Sequence, residues 1–288
     1  MRNARDGSWI DAIGRRFWIY ALYLIALIVA EAMTTLVDPS AGLILEGAIL
    51  IALVFHSALI WGRPGHRLLL ALTLAPLIRL LSLGLPLGGF PVVDWYLIVS
   101  VPLFVGAAML ASALGYSWSD VGLRAPNPIG SPSRAMASPA RRALWDAFPF
   151  LAQLLVAATG PALGYAEYWI LQPAPVVDGL TWERLWAPVL IVVVSTGLLE
   201  EVLFRGLIQR AAVEVMGRPG VVYAALIYAA FHLGYRSSLD LIFVLGVGLF
   251  FGLVVAKTGS LLGVTLSHGL ANLTLLIVLP LLPLLVYP

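Results

Sequence analysis

Long, nearly uncharged apolar runs recur along most of the 288-residue chain. Each run has about the ~20 residues that a helix needs to cross the hydrocarbon core of a bilayer. Because backbone groups in lipid must be hydrogen-bonded within the segment, each run predicts a membrane-spanning helix. The runs lack the alternation of polar and apolar residues that is typical of a membrane β-barrel.

Turn-forming sequences such as residues 38–40 and 217–220 separate the runs. They divide the chain into nine segments, near residues 17–37, 43–61, 68–86, 95–116, 143–171, 185–216, 219–235, 239–256 and 260–287. We therefore predict an all-α fold, a polytopic transmembrane helix bundle of about 8–9 spans.

The composition excludes several classes of protein. Only 11% of the residues are charged, whereas a soluble domain has roughly 25%. The net charge of +2 includes no basic stripe, so we expect no nucleic-acid partner. The chain has no cysteine, which excludes disulfides, thiolate metal sites and cysteine nucleophiles. The bilayer itself is the predicted partner.

Positive charge is distributed unevenly between the loops that nine helices would produce. If the N-terminus is cytoplasmic, fourteen of the 17 Lys and Arg residues are on the cytoplasmic side, and only Arg184 and Arg236 are in outside loops. Such an excess is typical of cytoplasmic loops. We therefore expect a multi-pass protein of the plasma (inner) membrane, with residues 1–16 as a cytoplasmic segment and residues 117–142 as a cytoplasmic loop.

Polar side chains interrupt three of the last four runs, where burial in lipid is costly. They are Glu200, Glu201, His232, His268 and Asn272. Glu201 precedes the turn at Arg218 by seventeen residues and His232 follows it by fourteen. At ~1.5 Å per residue both lie roughly 21–26 Å from that turn, and His268 lies about 13–14 Å from the next turn on the same side. We therefore expect three helices to bring these groups to one layer below the cytoplasmic surface.

The combination of a carboxylate, an imidazole and an amide is suited to hydrolysis. A carboxylate and an imidazole beside one water can remove its proton, and a second His and an Asn can donate hydrogen bonds to an oxyanion. Glu200 and Glu201 point about 100° apart on a helix, so only one of them can face the reaction centre. Arg205 lies at i+4 from Glu201 and can pair with it.

These residues form three motifs: Glu200-Glu201-x-x-x-Arg205, Tyr228-x-x-x-His232 and His268-x-x-x-Asn272. They resemble the Glu-Glu-x-x-x-Arg, Phe-x-x-x-His and His-x-x-x-Asn motifs of the CAAX-protease and bacteriocin-processing (CPBP, ABI) family of glutamate-type intramembrane proteases. The resemblance covers roughly residues 185–280. The one departure is Tyr228, whose hydroxyl can reach the site.

The resemblance implies a role for each position. Glu200 is the expected general base, His232 helps to hold the water, and His268 and Asn272 form the oxyanion pair. Glu201 and Arg205, with Tyr228, support them. Residues 176–288 are then the catalytic core, and residues 17–175 form N-terminal transmembrane helices.

The expected reaction is endoproteolysis of a membrane-associated peptide or protein, possibly prenylated or with a C-terminal tail, and it needs no cofactor. If a metal such as Zn²⁺ takes part, its ligands would be Glu200, His232 and His268. Two alternatives stay open: a proton-coupled transporter, because intramembrane carboxylates and histidines also form proton relays, and a non-catalytic scaffold or immunity protein.

Other charged residues in the apolar runs have structural interpretations. Glu31 and Arg79 are predicted to form a buried ion pair between the first and third spans. Glu46 is placed near the outer interface, and Glu167 at the end of the fifth span.

Overall fold

The computed structural model of the chain describes residues 6–124, 149–177, 179 and 181–286. These residues fold into helices joined by short loops, without a strand among them. The helices are α1 (Asp6–Ala32), α2 (Pro39–Leu59), α3 (His66–Leu72), α4 (Leu74–Gly84), α5 (Val92–Ala113), α6 (Trp118–Val121), α7 (Pro149–Ala157), α8 (Gly160–Leu171), α9 (Trp182–Met216), α10 (Pro219–Ala230), α11 (Ser238–Thr258), α12 (Leu262–Leu273) and α13 (Leu279–Val286).

Several helices change their pitch without ending. α1 continues through a wider π-helical segment, Met33–Val37, and another, Thr274–Val278, joins α12 to α13. Inside α9, two π segments, Val193–Leu199 and Val202–Gln209, flank the two adjacent glutamates. Such wide turns are often found at functional sites.

Seven helices within the described part of the chain are long and apolar enough to cross a membrane. They are Phe17–Val37, Pro39–Leu59, His66–Gly84, Val92–Ala113, Trp182–Met216, Ser238–Thr258 and Leu262–Leu282. The prediction of an all-α, multi-pass membrane bundle is confirmed, although 8–9 spans is slightly too many. Large apolar side chains cover the outside of these helices, among them Leu22, which is 65% exposed, and Ile242, which is 68% exposed.

Two of the predicted spans account for the difference in number. The apolar helix Pro219–Tyr235 is shorter than the others, and its last five residues, Phe231–Tyr235, form a 3₁₀ turn. The predicted span at 143–171 is divided between α7 and α8, where Pro161 follows the first residue of α8, and residues 143–148 lie outside the described ones.

Part of the predicted loop at 117–142 is ordered by a capped helical turn. Ser117 and Asp120 form a reciprocal capping box at α6, and these hydrogen bonds lower the pKa of the Asp120 carboxyl below its usual range. Arg210 of α9 donates to the Asp120 carbonyl at 2.6 Å. Residues 125–142 lie outside the described part of the chain, as do residues 1–5.

The helices that surround the site pack closely around α12. α9, α8 and α7 contact it, and α11 pairs with α10. Gly160 and Gly164 of α8 lie directly against the α12 backbone, since a Cβ at either glycine would collide with the carbonyl of Ser267 or of Ala271. This close approach brings the buried Glu167, on the same face of α8, into the centre of the bundle.

Candidate active site

A cavity of about 480 Å³ lies between α4, α5, α8, α9, α10, α11 and α12. Its wall includes all four of the predicted reactive residues, Glu200, His232, His268 and Asn272. The three helices that carry the motifs therefore converge on one space. Apolar residues of α4, α5 and α11, such as Val99 and Phe243, line much of the remaining wall.

The two adjacent glutamates occupy different environments. The side chain of Glu200 lines the cavity and is 33% exposed. Glu201 is fully buried behind it, and its Oε1 accepts a hydrogen bond from Nη1 of Arg205 at 2.9 Å. The predicted i, i+4 pair is thus confirmed. Only Glu200 can meet a water or a substrate in the cavity.

His268 connects these two glutamates. Its Nδ1 lies 2.8 Å from Oε1 of Glu201, and its Nε2 lies 3.8 Å from Oε2 of Glu200. An ionised carboxylate can only accept a hydrogen bond, so Nδ1 donates to Glu201. The bond fixes the ring with Nε2 directed at the cavity side.

Tyr228 packs between His268 and Arg205. The Tyr228 hydroxyl lies 3.4 Å from Nε2 of His268, so the departure from the family motif does place a hydroxyl at the site. The Arg205 guanidinium lies 4.2 Å from the centroid of the Tyr228 ring, a cation–π contact. The charge of Arg205 is therefore held by Glu201 on one side and by an aromatic face on another.

His232 lies on the 3₁₀ turn that ends α10. Its Nδ1 is 3.0 Å from Oδ2 of Asp240 in the first turn of α11, and the Asp240 side chain is fully buried. Arg79 of α4 supports the same turn by donating to the Phe231 carbonyl at 2.8 Å. Nε of Arg79 lies 2.7 Å from Oε1 of Glu31, which confirms the predicted buried ion pair between the first and third spans.

Sequence reasoning missed Glu167 and Asp240. The Glu167 side chain is not at a solvated helix end but lines the cavity and is only 8% exposed. The one signal in the sequence was its spacing from Gly160 and Gly164, which places all three on one helical face. In the sequence, Asp240 resembles an ordinary acidic residue in the first turn of a helix. No motif or spacing around Asp240 indicates its contact with His232.

Among the described residues, one set of three donors lies close enough together to hold a metal ion. The ligand atoms of Glu167, His232 and Asp240 all lie within 4.8 Å of one another. Glu200 and His268, the predicted partners of His232 in a zinc site, are not part of this set. The cluster that the structure brings together therefore shares only His232 with the zinc ligands suggested by the sequence.

Residues 182–274 match the family model described as Rce1-like: Type II CAAX prenyl endopeptidase Rce1-like. The matched segment contains the three motifs and confirms the resemblance inferred from them. No curated protein and no solved structure matches the chain.

Proposed function

We propose that this multi-pass membrane protein, with its Rce1-like segment, is an intramembrane endopeptidase that cuts a membrane-associated peptide or protein by means of an activated water. The observation that carries the proposal is the common cavity of Glu200, His232, His268 and Asn272. Carboxylate, imidazole and amide groups are brought together there from three helices. Such groups are costly to bury in a membrane, and they are therefore usually functional.

Each step of the proposed reaction uses a residue of the cavity wall. Glu200 removes a proton from a water held beside His232, and the hydroxide attacks the carbonyl carbon of the scissile bond. His268, protonated on both ring nitrogens, donates from Nε2 to the oxyanion, and the amide of Asn272 donates to it as well. Glu200 then returns the proton to the leaving nitrogen as the C–N bond breaks. Glu201 and Arg205 hold His268 in place.

The apolar part of the cavity wall favours a substrate that enters from the bilayer. The description of the matching family model names a type II CAAX prenyl endopeptidase. A prenylated C-terminal peptide is therefore the substrate class that we propose for this chain. An isoprenoid would fit against the aliphatic and aromatic side chains of α4, α5 and α11, while the peptide carbonyl faces Glu200.

A panel of membrane-tethered peptides tests the proposed activity. Purified protein in lipid nanodiscs is incubated with prenylated peptides, the same peptides without the prenyl group, and peptides anchored by a transmembrane helix. We expect the prenylated peptides to be cleaved.

Asn272→Ala is expected to lower kcat by roughly 100-fold, because one oxyanion donor is lost. Cleavage products and their positions are measured by mass spectrometry.

The control is Glu183→Gln, a charge change on an exposed side chain of α9 outside the cavity wall, which should leave the activity unchanged. Absence of cleavage of every peptide by the wild-type protein contradicts the endopeptidase proposal. Cleavage of the helix-anchored peptides alone supports an endopeptidase but overturns the proposed prenylated substrate.

We also expect cleavage to be independent of a bound metal ion. Because the proposed reaction uses Glu200 as the base and Glu200 is not in the cluster of three close donors, phenanthroline should leave kcat within about twofold of its starting value, a change of less than ~0.5 kcal/mol in the barrier. A non-chelating phenanthroline isomer is the control for effects on the membrane. Complete loss of activity that added Zn²⁺ restores would contradict this expectation.

A further inference from the structure

Among the described residues, Asp240 is a fully buried partner of a cavity histidine and lies outside the three motifs. Its side chain is fully buried, and Oδ2 lies 3.0 Å from Nδ1 of His232. Because an ionised carboxylate accepts only, Nδ1 must carry the hydrogen. The other ring nitrogen, Nε2, is then the one that His232 offers to the cavity.

The same arrangement occurs at the second histidine of the site. The Nδ1 of His268 lies 2.8 Å from the fully buried Glu201, just as Nδ1 of His232 lies against Asp240. Each cavity histidine is thus held from behind by a carboxylate that solvent does not reach. The recurrence indicates that both carboxylates have the same task, which is to fix the orientation of an imidazole ring.

The surroundings of Asp240 show that its side chain serves His232. The Ser237 hydroxyl accepts a hydrogen bond from the backbone N–H of Asp240 at 3.2 Å, so the helix cap does not use the Asp240 carboxylate. Oδ1 has no hydrogen-bond partner among the described residues. Burial of a carboxylate is unfavourable, and the first turn of α11 offsets part of that cost through the helix dipole.

We propose that Asp240 is the positioning residue of His232: it holds the ring in the Nδ1–H tautomer, with Nε2 facing the water that Glu200 activates. The role in catalysis rests on the proposed function. Glu167 offers a second acceptor, since one of its carboxylate oxygens lies within 4.8 Å of a ring nitrogen of His232. Without the Asp240 carboxylate, the ring is free to turn to Glu167, and Nε2 leaves its position.

The test combines kinetics with a direct observation of the ring. Asp240→Asn should lower kcat roughly 100-fold, within the range typical of acid–base groups, with KM changed by less than about twofold because Asp240 does not line the cavity. If Asp240 acts through His232, the effects of Asp240→Asn and His232→Gln on kcat are not additive. Asp240→Asn should then have no further effect on kcat in a His232→Gln background.

The control variant is Asp94→Asn. Asp94 is also an acidic residue in the first turn of a membrane helix, α5, and does not line the cavity. It should leave kcat and KM unchanged, although it removes the same charge from a helix N-terminus.

¹⁵N NMR of histidine-labelled protein reports the tautomer of His232, which is assigned by the loss of its signal in His232→Gln. We expect the Nδ1–H tautomer in the wild type and a mixture in Asp240→Asn. Unchanged tautomers, or additive effects on kcat, would overturn the proposal, as would one equivalent of bound Zn²⁺ that Asp240→Asn removes. The NMR result holds even if no substrate is cleaved, so failure of the proposed function is recognised separately.

Discussion

Glu200→Gln is expected to lower the rate of cleavage by about three orders of magnitude, the scale of a lost general base, and to leave the thermal stability of the protein unchanged. The side chain lies at the cavity wall and is 33% exposed. Glutamine has nearly the same shape but cannot accept the proton of the attacking water. KM should change little, because the defect arises in the transition state.

The adjacent position provides the matched variant. Glu201→Gln makes the same chemical change one residue along the chain, but it leaves Arg205 buried without its carboxylate partner. Loss of one member of a buried ion pair costs about 3–5 kcal/mol. We therefore expect Glu201→Gln to lower the melting temperature clearly, and to reduce activity as His268 loses the bond at Nδ1.

Kinetics on the best peptide of the panel and thermal unfolding by tryptophan fluorescence in the same nanodiscs distinguish the two variants. Equal loss of stability in both would show that Glu200 is also structural. Retained activity in Glu200→Gln at wild-type stability would exclude this residue as the general base and would require another origin for the cleavage.

The sequence predicted the helical architecture and the central part of the cavity for simple physical reasons. Apolar length determines which segments can cross a bilayer, and residues at i and i+4 share a helical face. These two rules place His268 with Asn272, and Glu201 with Arg205. Matching distances from the turns then brought the three motifs to a common depth.

The residues that the sequence did not reveal depend on tertiary contacts. Glu167 reaches the cavity only because two glycines let α8 lie against the α12 backbone, and distance along the chain gives no measure of that approach. Asp240 meets His232 because the chain reverses between α10 and α11. The wide π turns around Glu200 are likewise set by packing, since local propensity does not favour them.

The helices outside the Rce1-like segment also contribute to the site, and a second large effect is expected there. Glu31→Gln should lower the free energy of unfolding by up to about 3–5 kcal/mol, because it leaves the largely buried Arg79 guanidinium without its carboxylate. Both oxygens of Glu31 accept from Nε of Arg79, at 2.7 and 2.8 Å. Activity should fall as well, since Arg79 also holds the Phe231 carbonyl beside His232.

Glu46→Gln is the matched control, because it makes the same change in the neighbouring helix α2. Glu46, which the sequence places near the outer interface, is packed inside the bundle: it is 1% exposed, and neither carboxylate oxygen has a hydrogen-bond partner among the described residues. Neutralising a buried carboxyl without a partner should leave stability unchanged or raise it. Unfolding in mixed micelles with increasing SDS measures both variants.

The double variant Glu31→Gln, Arg79→Met separates the ion pair from its effect on the site. Removing both charges should recover much of the stability lost in Glu31→Gln, because no uncompensated charge stays buried. Activity should not recover, since methionine cannot donate to the Phe231 carbonyl that Arg79 holds at 2.8 Å. If activity returned together with stability, the pair would be a structural contact between helices, and the position of His232 would not depend on α1 and α4.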